Sequence, residues 1–139
     1  MIQGVEDRAN NYASFLILVV DDDEDIRELV TYILVGKGFQ VITAIDGSSA
    51  LTEIEARKPD LILLDAMLPD FSGLEVLKRI RSSQIAGVRQ IPVLMLSGMV
   101  DQPDFQAHSP FGLTKYLSKP FLPAALLERV SAILAGGSR

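Results

Sequence analysis

Three consecutive aspartates, Asp21-Asp22-Asp23, directly follow the apolar run Leu16-Ile-Leu-Val-Val20, and a lone aspartate, Asp65, follows Leu61-Ile-Leu-Leu64. A hydroxyl, Ser97, follows Val93-Leu-Met-Leu96, and an ammonium, Lys119, follows Tyr116-Leu-Ser118. Carboxylates gathered at one point repel one another and call for a cation among them. Oxygen-only donors favour a hard ion, Mg²⁺ with Mn²⁺ as the alternative, that keeps waters open to exchange. A carboxylate is also a competent nucleophile toward phosphorus, giving an acyl phosphate. A cation, a lysine and a hydroxyl beside it would spread the charge on the transferring phosphoryl oxygens. All of this requires the four groups to share one rim.

The elements that could bring them there are legible as an alternation of short apolar runs with helical-period stretches. Leu16–Val20, Leu61–Leu64 and Val93–Leu96 are continuous apolar runs, the pattern of strands buried on both faces of a parallel sheet. Phe39–Ala44 and Tyr116–Ser118 are weaker strand candidates. Ile26, Leu29, Val30, Ile33 and Leu34 fall on one helical face, and Gly36 and Gly38 follow as stop signals. Ala50, Leu51 and Ile54 mark a second helix ended by Lys58-Pro59. Leu74, Leu77 and Ile80 mark a third, which Ser72 is placed to cap. Pro123 opens the last helix, Leu126, Leu127, Val130, Ile133 and Leu134 line it, and Gly136-Gly137 ends it. A further helix is expected over about 101–108, stopping before Pro110 because proline removes a helical hydrogen bond. The pattern predicts an α/β fold: an open parallel sheet with helices on both faces. In such sheets sites form beyond the carboxyl ends of the strands, where Asp21–Asp23, Asp65, Ser97 and Lys119 all fall. The strand ending near Ile45-Asp46 adds nothing obvious.

The chain has 139 residues, the size of one domain, and 48% hydrophobic with 22% charged residues excludes intrinsic disorder. A net charge of −5 argues against direct nucleic-acid binding. Absence of Cys removes disulfides, thiolate nucleophiles and Cys-based zinc sites. The lone His108 can anchor neither a zinc site nor a triad. No apolar stretch approaches the ~18 residues of a membrane span, and the first residues lack a signal-peptide core, so a cytoplasmic location without membrane insertion is expected. Met1–Ser14 and Gly136–Arg139 read as tails flanking a domain over 15–135.

Acidic residues before a helix also serve as caps, and Asp23 and Asp25 suit that role. An EF-hand loop fails, because Ile26 stands at the glycine position and Tyr32 at the bidentate glutamate position.

The segments Leu16–Leu29, Pro59-Asp-Leu-Ile-Leu-Leu-Asp-Ala-Met-Leu-Pro-Asp-Phe-Ser-Gly73 and Tyr116-Leu-Ser-Lys-Pro-Phe121, in that order and at that spacing, resemble the receiver domain of two-component response regulators, chemotaxis-regulator-like and single-domain. The resemblance covers about Phe15 to Ala135. It implies a flavodoxin-like, doubly wound five-stranded sheet in order 2-1-3-4-5. It implies phosphoryl transfer from a phosphohistidine, on a sensor histidine kinase or a histidine-phosphotransfer domain, onto Asp65. Asp22, Asp65 and the Met67 backbone carbonyl would ligate Mg²⁺, with Asp21 acting mostly through water. Ser97 takes the switch-hydroxyl position, Lys119 that of the phosphoryl-pairing lysine, and Tyr116 that of the aromatic whose rotamer follows activation. The Lys119-Pro120 bond is expected cis. Met67 and Met99 flank the expected path of hydrolytic water and should slow loss of the phosphoryl group. No effector domain follows Ala135, so output is expected through contact with a downstream protein, or the chain is a stand-alone relay or a receiver excised from a larger protein. Such a phosphoprotein acts as a signal-transduction relay rather than an enzyme, catalysing only its own modification and its reversal.

The alternative is a haloacid-dehalogenase-like phosphatase using Asp21 and Asp23 as its Asp-x-Asp, with Ser97 ending a later strand. Against it, Asp25 stands where that family usually has Thr or Val, the chain is short for that fold, and Asp65 would have no role.

Overall fold

In the computed structural model, which describes residues 12–98 and 114–136, each apolar run is a strand. The strands are β1 (Leu16–Val20), β2 (Gln40–Ala44), β3 (Leu61–Asp65), β4 (Val93–Ser97) and β5 (Thr114–Ser118). The helices are α1 (Glu24–Lys37), α2 (Gly47–Arg57), α3 (Gly73–Arg81) and α4 (Pro123–Gly136). All pairings are parallel and the order is β2-β1-β3-β4-β5, as expected. The helix expected over 101–108, Pro110, His108 and Met99 lie outside the described residues.

Alternation along each strand divides the core in two. Leu18, Val20, Ile62, Leu64, Val93 and Met95 point to one face, where Ala50 and Ile54 of α2 and Val76, Leu77 and Ile80 of α3 cover them. Ile17, Val19, Leu61, Leu63, Leu94 and Leu96 point to the other, against Val30 and Leu34 of α1 and Leu126 and Val130 of α4. Strands covered on both sides have no polar face, which is why they read as unbroken apolar runs. Each Leu or Ile so buried contributes about 1.5–3 kcal/mol.

Helix ends follow local chemistry. Asp23 caps α1, accepting from the N–H groups of Asp25 and Ile26, and Gly38 closes it at φ 111°. Asp46 and Ser49 form a reciprocal capping box on α2, and Ser72 accepts from the Glu75 N–H at the start of α3. Lys58 ends α2 at φ 46°, with Pro59 next. Gly36, expected as a stop, lies inside α1, one residue before its end. The left-handed turn at Gly38 is the actual stop, because its N–H reaches back to the Leu34 and Val35 carbonyls. Several edges also differ from expectation: β2 starts at Gln40 rather than Phe39, and Gly136 belongs to α4 rather than to the tail. β5 starts at Thr114 rather than Tyr116, because its pairing with β4 begins at Val93↔Thr114. Tyr12–Ser14, at the end of the expected N-terminal tail, form a 3₁₀ turn that stacks Tyr12 on Phe39, ring centroids 4.5 Å apart.

A Cβ added at Gly36 would meet nothing within 4 Å. Gly36→Ala should therefore stabilise the fold by about 0.5 kcal/mol, since alanine loses less backbone entropy in a helix. An unchanged or lower urea midpoint would contradict this.

Candidate functional site

The register sets the rim. Val20 pairs with Leu64, Asp65 with Leu96, and Ser97 with Ser118, so Asp21, Asp65, Ser97 and Lys119 all emerge at the carboxyl ends of adjacent strands. β1 lies between β2 and β3, which makes the β1/β3 boundary the point where the strand order reverses.

Asp21 and Asp65 are 1% and 6% exposed, almost completely removed from water. Two buried carboxylates side by side are costly unless compensated. Lys119 supplies the compensation: its Nζ lies 2.8 Å from Asp21 Oδ2 and 3.4 Å from Asp65 Oδ1. The Lys119-Pro120 bond is cis, as expected, and the Lys119 N–H donates to the Ser97 carbonyl, tying the β5 end to the β4 end. Asp21 is held from every side. Its Oδ1 accepts from the Asp23 N–H at 2.9 Å, its carbonyl accepts from Arg27 Nη1 at 2.8 Å, and its N–H donates to the Ala44 carbonyl.

Burial, and then the neighbouring Asp21 charge, push the Asp65 carboxyl above its ordinary value, while Lys119 and the Met67 N–H pull against them. Lys119 titrates above its ordinary 10.5: burial would lower it, but the Asp21 hydrogen bond and the two carboxylate charges outweigh burial. Its stabilising contribution is complete below 10.5 and is lost as pH rises through the higher folded-state value.

Asp21, Asp22 and Asp65 each offer a carboxylate oxygen, and these oxygens lie within 4.8 Å of one another. One ammonium against three carboxylates leaves an excess of two negative charges, and every side-chain donor is oxygen. That set fits a hard divalent cation such as Mg²⁺. Met67, two residues after Asp65, donates its N–H to Asp65 Oδ1 at 3.3 Å, and its side chain is 64% exposed. Ser97 is buried at the end of β4. Tyr116 is half-buried against the core face covered by α2 and α3, and burial pushes its phenol up. Its carbonyl accepts from Arg129 Nη1.

Two contributors were not apparent from the residues alone. Arg27 falls within the Leu16–Leu29 segment with no role assigned to it there, yet it holds the Asp21 carbonyl. Asp70 was read only as part of a motif, yet its carboxylate reaches across to α2 and accepts from Gly47 and Ser48. An arginine one turn into an acidic helix start could have signalled the first. Nothing local signals the second.

A doubly wound parallel sheet with buried carboxylates and one lysine at its reversal point defines the class to which the comparisons also lead. Residues 17–131 match the family model described as the response regulator receiver domain, and the chain belongs to that family. It is 44% identical over 118 residues to the alkaline phosphatase synthesis transcriptional regulatory protein PhoP of Bacillus subtilis, covering 85% of this chain and 48% of that protein. It is 39% identical to the DNA-binding response regulator MtrA of Mycobacterium tuberculosis, covering 85% of this chain and 50% of that one. The chain thus spans about half the length of these curated relatives. Among solved structures, the chemotaxis response regulator CheY4 of Vibrio cholerae superposes with a TM-score of 0.80 at 32% identity, covering 86% of this chain and 98% of that one. The phosphatase alternative finds no support: Asp23 is occupied as the α1 cap, and Asp65, idle in that reading, sits on Lys119. Among the described residues, no helix is long and apolar enough to cross a membrane.

Proposed function

We propose that Asp65 accepts a phosphoryl group from a phosphohistidine, borne by a sensor histidine kinase or a histidine-phosphotransfer domain. The observation that carries this is the single lysine shared by two buried carboxylates, Asp21 and Asp65, at the reversal point of the sheet. An Asp65 oxygen attacks phosphorus, the phosphorus–imidazole nitrogen bond breaks, and the imidazole leaves as the neutral ring once protonated. Lys119 moves from offsetting carboxylate charge to pairing with the phosphoryl oxygens. Asp22, Asp65 and the Met67 carbonyl would hold Mg²⁺, with Asp21 acting through water. When bound, that ion supplies neutralisation of phosphoryl charge. Ser97 is the hydroxyl that reports the phosphoryl group, and half-buried Tyr116 has an inward position to lose or gain. Output passes by changed protein contacts, and this acidic domain makes no direct contact with nucleic acid.

Acetyl phosphate with Mg²⁺ should add one phosphoryl group to the intact protein, read by mass. Chelator should abolish the gain, and Asp65→Ala should not be labelled. Persistent labelling of Asp65→Ala would refute the assignment.

A further inference from the structure

The segment 66–72, which carries Met67 away from Asp65, is closed on itself and anchored from within. The Gly73 N–H donates to the Ala66 carbonyl at 2.9 Å, drawing the two ends together. Inside the loop, Asp70 spans to a different helix: Oδ1 accepts from the Gly47 N–H at 2.8 Å and Oδ2 from the Ser48 N–H at 2.9 Å. Oδ1 also accepts from the Phe71 N–H at 2.8 Å, which fixes the carboxylate on its own loop. The two segments approach so closely that a Cβ at Gly47 would lie 2.5 Å from the Phe71 ring. Arg79 covers that ring from α3, its guanidinium 4.4 Å from the centroid.

Asp46 caps α2 by accepting from the Ser49 N–H, with Ser49 returning the bond in a capping box. Asp70 takes two more of the first-turn N–H groups, those of Gly47 and Ser48, and because it does so from another segment it also holds its own loop against α2. We infer that Asp70 is a positioning residue for the cation site, fixing the loop that presents the Met67 backbone beside Asp65 and Asp22. The inference rests on the phosphoacceptor reading above. Groups that orient metal-binding atoms through hydrogen bonds matter because a loop free to wander must be ordered again whenever the ion binds.

The test is calorimetric Mg²⁺ titration, with thermal melting with and without Mg²⁺ and acetyl-phosphate labelling, on the full chain. Asp70→Ala should weaken Mg²⁺ binding about tenfold. It should slow labelling at limiting Mg²⁺ in proportion and leave labelling near wild type at saturating Mg²⁺. Asp70→Asn, which keeps an acceptor for Gly47 and Phe71, should fall between the two. Asp46→Ala is the matched control: it removes a cap from the same helix without touching the loop, and its Mg²⁺ affinity should stay at the wild-type value. Equal Mg²⁺ affinity in Asp70→Ala and wild type would overturn the inference, whatever the melting temperatures. So would equal weakening in Asp46→Ala, which would make both merely caps. Wild type that neither binds Mg²⁺ nor is labelled would overturn the phosphoacceptor reading and this inference together, whereas wild type that is labelled isolates the failure to Asp70.

Discussion

Lys119→Met should lower stability by about 3 kcal/mol at neutral pH, the loss typical of removing one partner from a buried ion pair. The side chain is nearly as long, so packing changes little, but Asp21 and Asp65 are left facing each other without compensation. The sign of the pH dependence follows from Asp65, whose folded-state carboxyl lies above its ordinary 3.8. A raised folded-state value means the folded protein holds its proton more tightly than the unfolded chain. Stability therefore falls as pH rises through that range, and the effect disappears below 3.8. Without Lys119 the upward push is stronger, so the variant's deficit should be largest at neutral pH and shrink as the solution is acidified. Mg²⁺ should restore more stability to the variant than it adds to wild type, because a cation among Asp21, Asp22 and Asp65 substitutes for the missing ammonium. Urea unfolding at pH 7 and at pH 4, with and without Mg²⁺, measures all of these. Identical midpoints for variant and wild type at neutral pH would show that Lys119 does not compensate the pair.

Gly73→Ala should cost about 3 kcal/mol despite placing a better helix former at the start of α3, because overpacking against rigid atoms outweighs propensity. The added Cβ would lie 2.4 Å from the Asp65 carbonyl oxygen and 2.8 Å from the Ala66 Cα. Both are backbone atoms at the strand end that carries Asp65, the proposed phosphoacceptor, so relief requires α3 or Asp65 itself to move. Phosphorylation by acetyl phosphate should fall along with stability. Gly47→Ala is the informative contrast: its nearest obstacle is the Phe71 ring, a side chain that can swing aside, so the loss should be smaller. Urea unfolding and the labelling rate of both variants test the pair. A Gly73→Ala protein as stable as wild type would mean that the approach of α3 to the Asp65 carbonyl is not required.

Much of this protein was decided residue by residue. Runs such as Leu61–Leu64, short, wholly apolar and bounded by Pro59 before and a charge after, read as doubly covered strands. Asp23, Ser72 and Gly38 mark helix ends because capping is a contact between near neighbours in the chain. The candidate site was legible for the same reason, since each of its groups follows a strand directly, and parallel strands in register must deliver such residues to one rim. Distance along the chain marks where that legibility stopped. Lys119 divides its ammonium between Asp21 and Asp65, partners far from it along the chain, and only the folded sheet fixes 2.8 Å to one and 3.4 Å to the other. The Asp70 link to Gly47 and Ser48, and the stacking of Tyr12 on Phe39, join surfaces that only the assembled fold brings together. Periodicity and capping are local and leave a pattern in the sequence. Hydrogen bonds between loops, and the compensation of one buried charge by another, depend on tertiary approach and leave none.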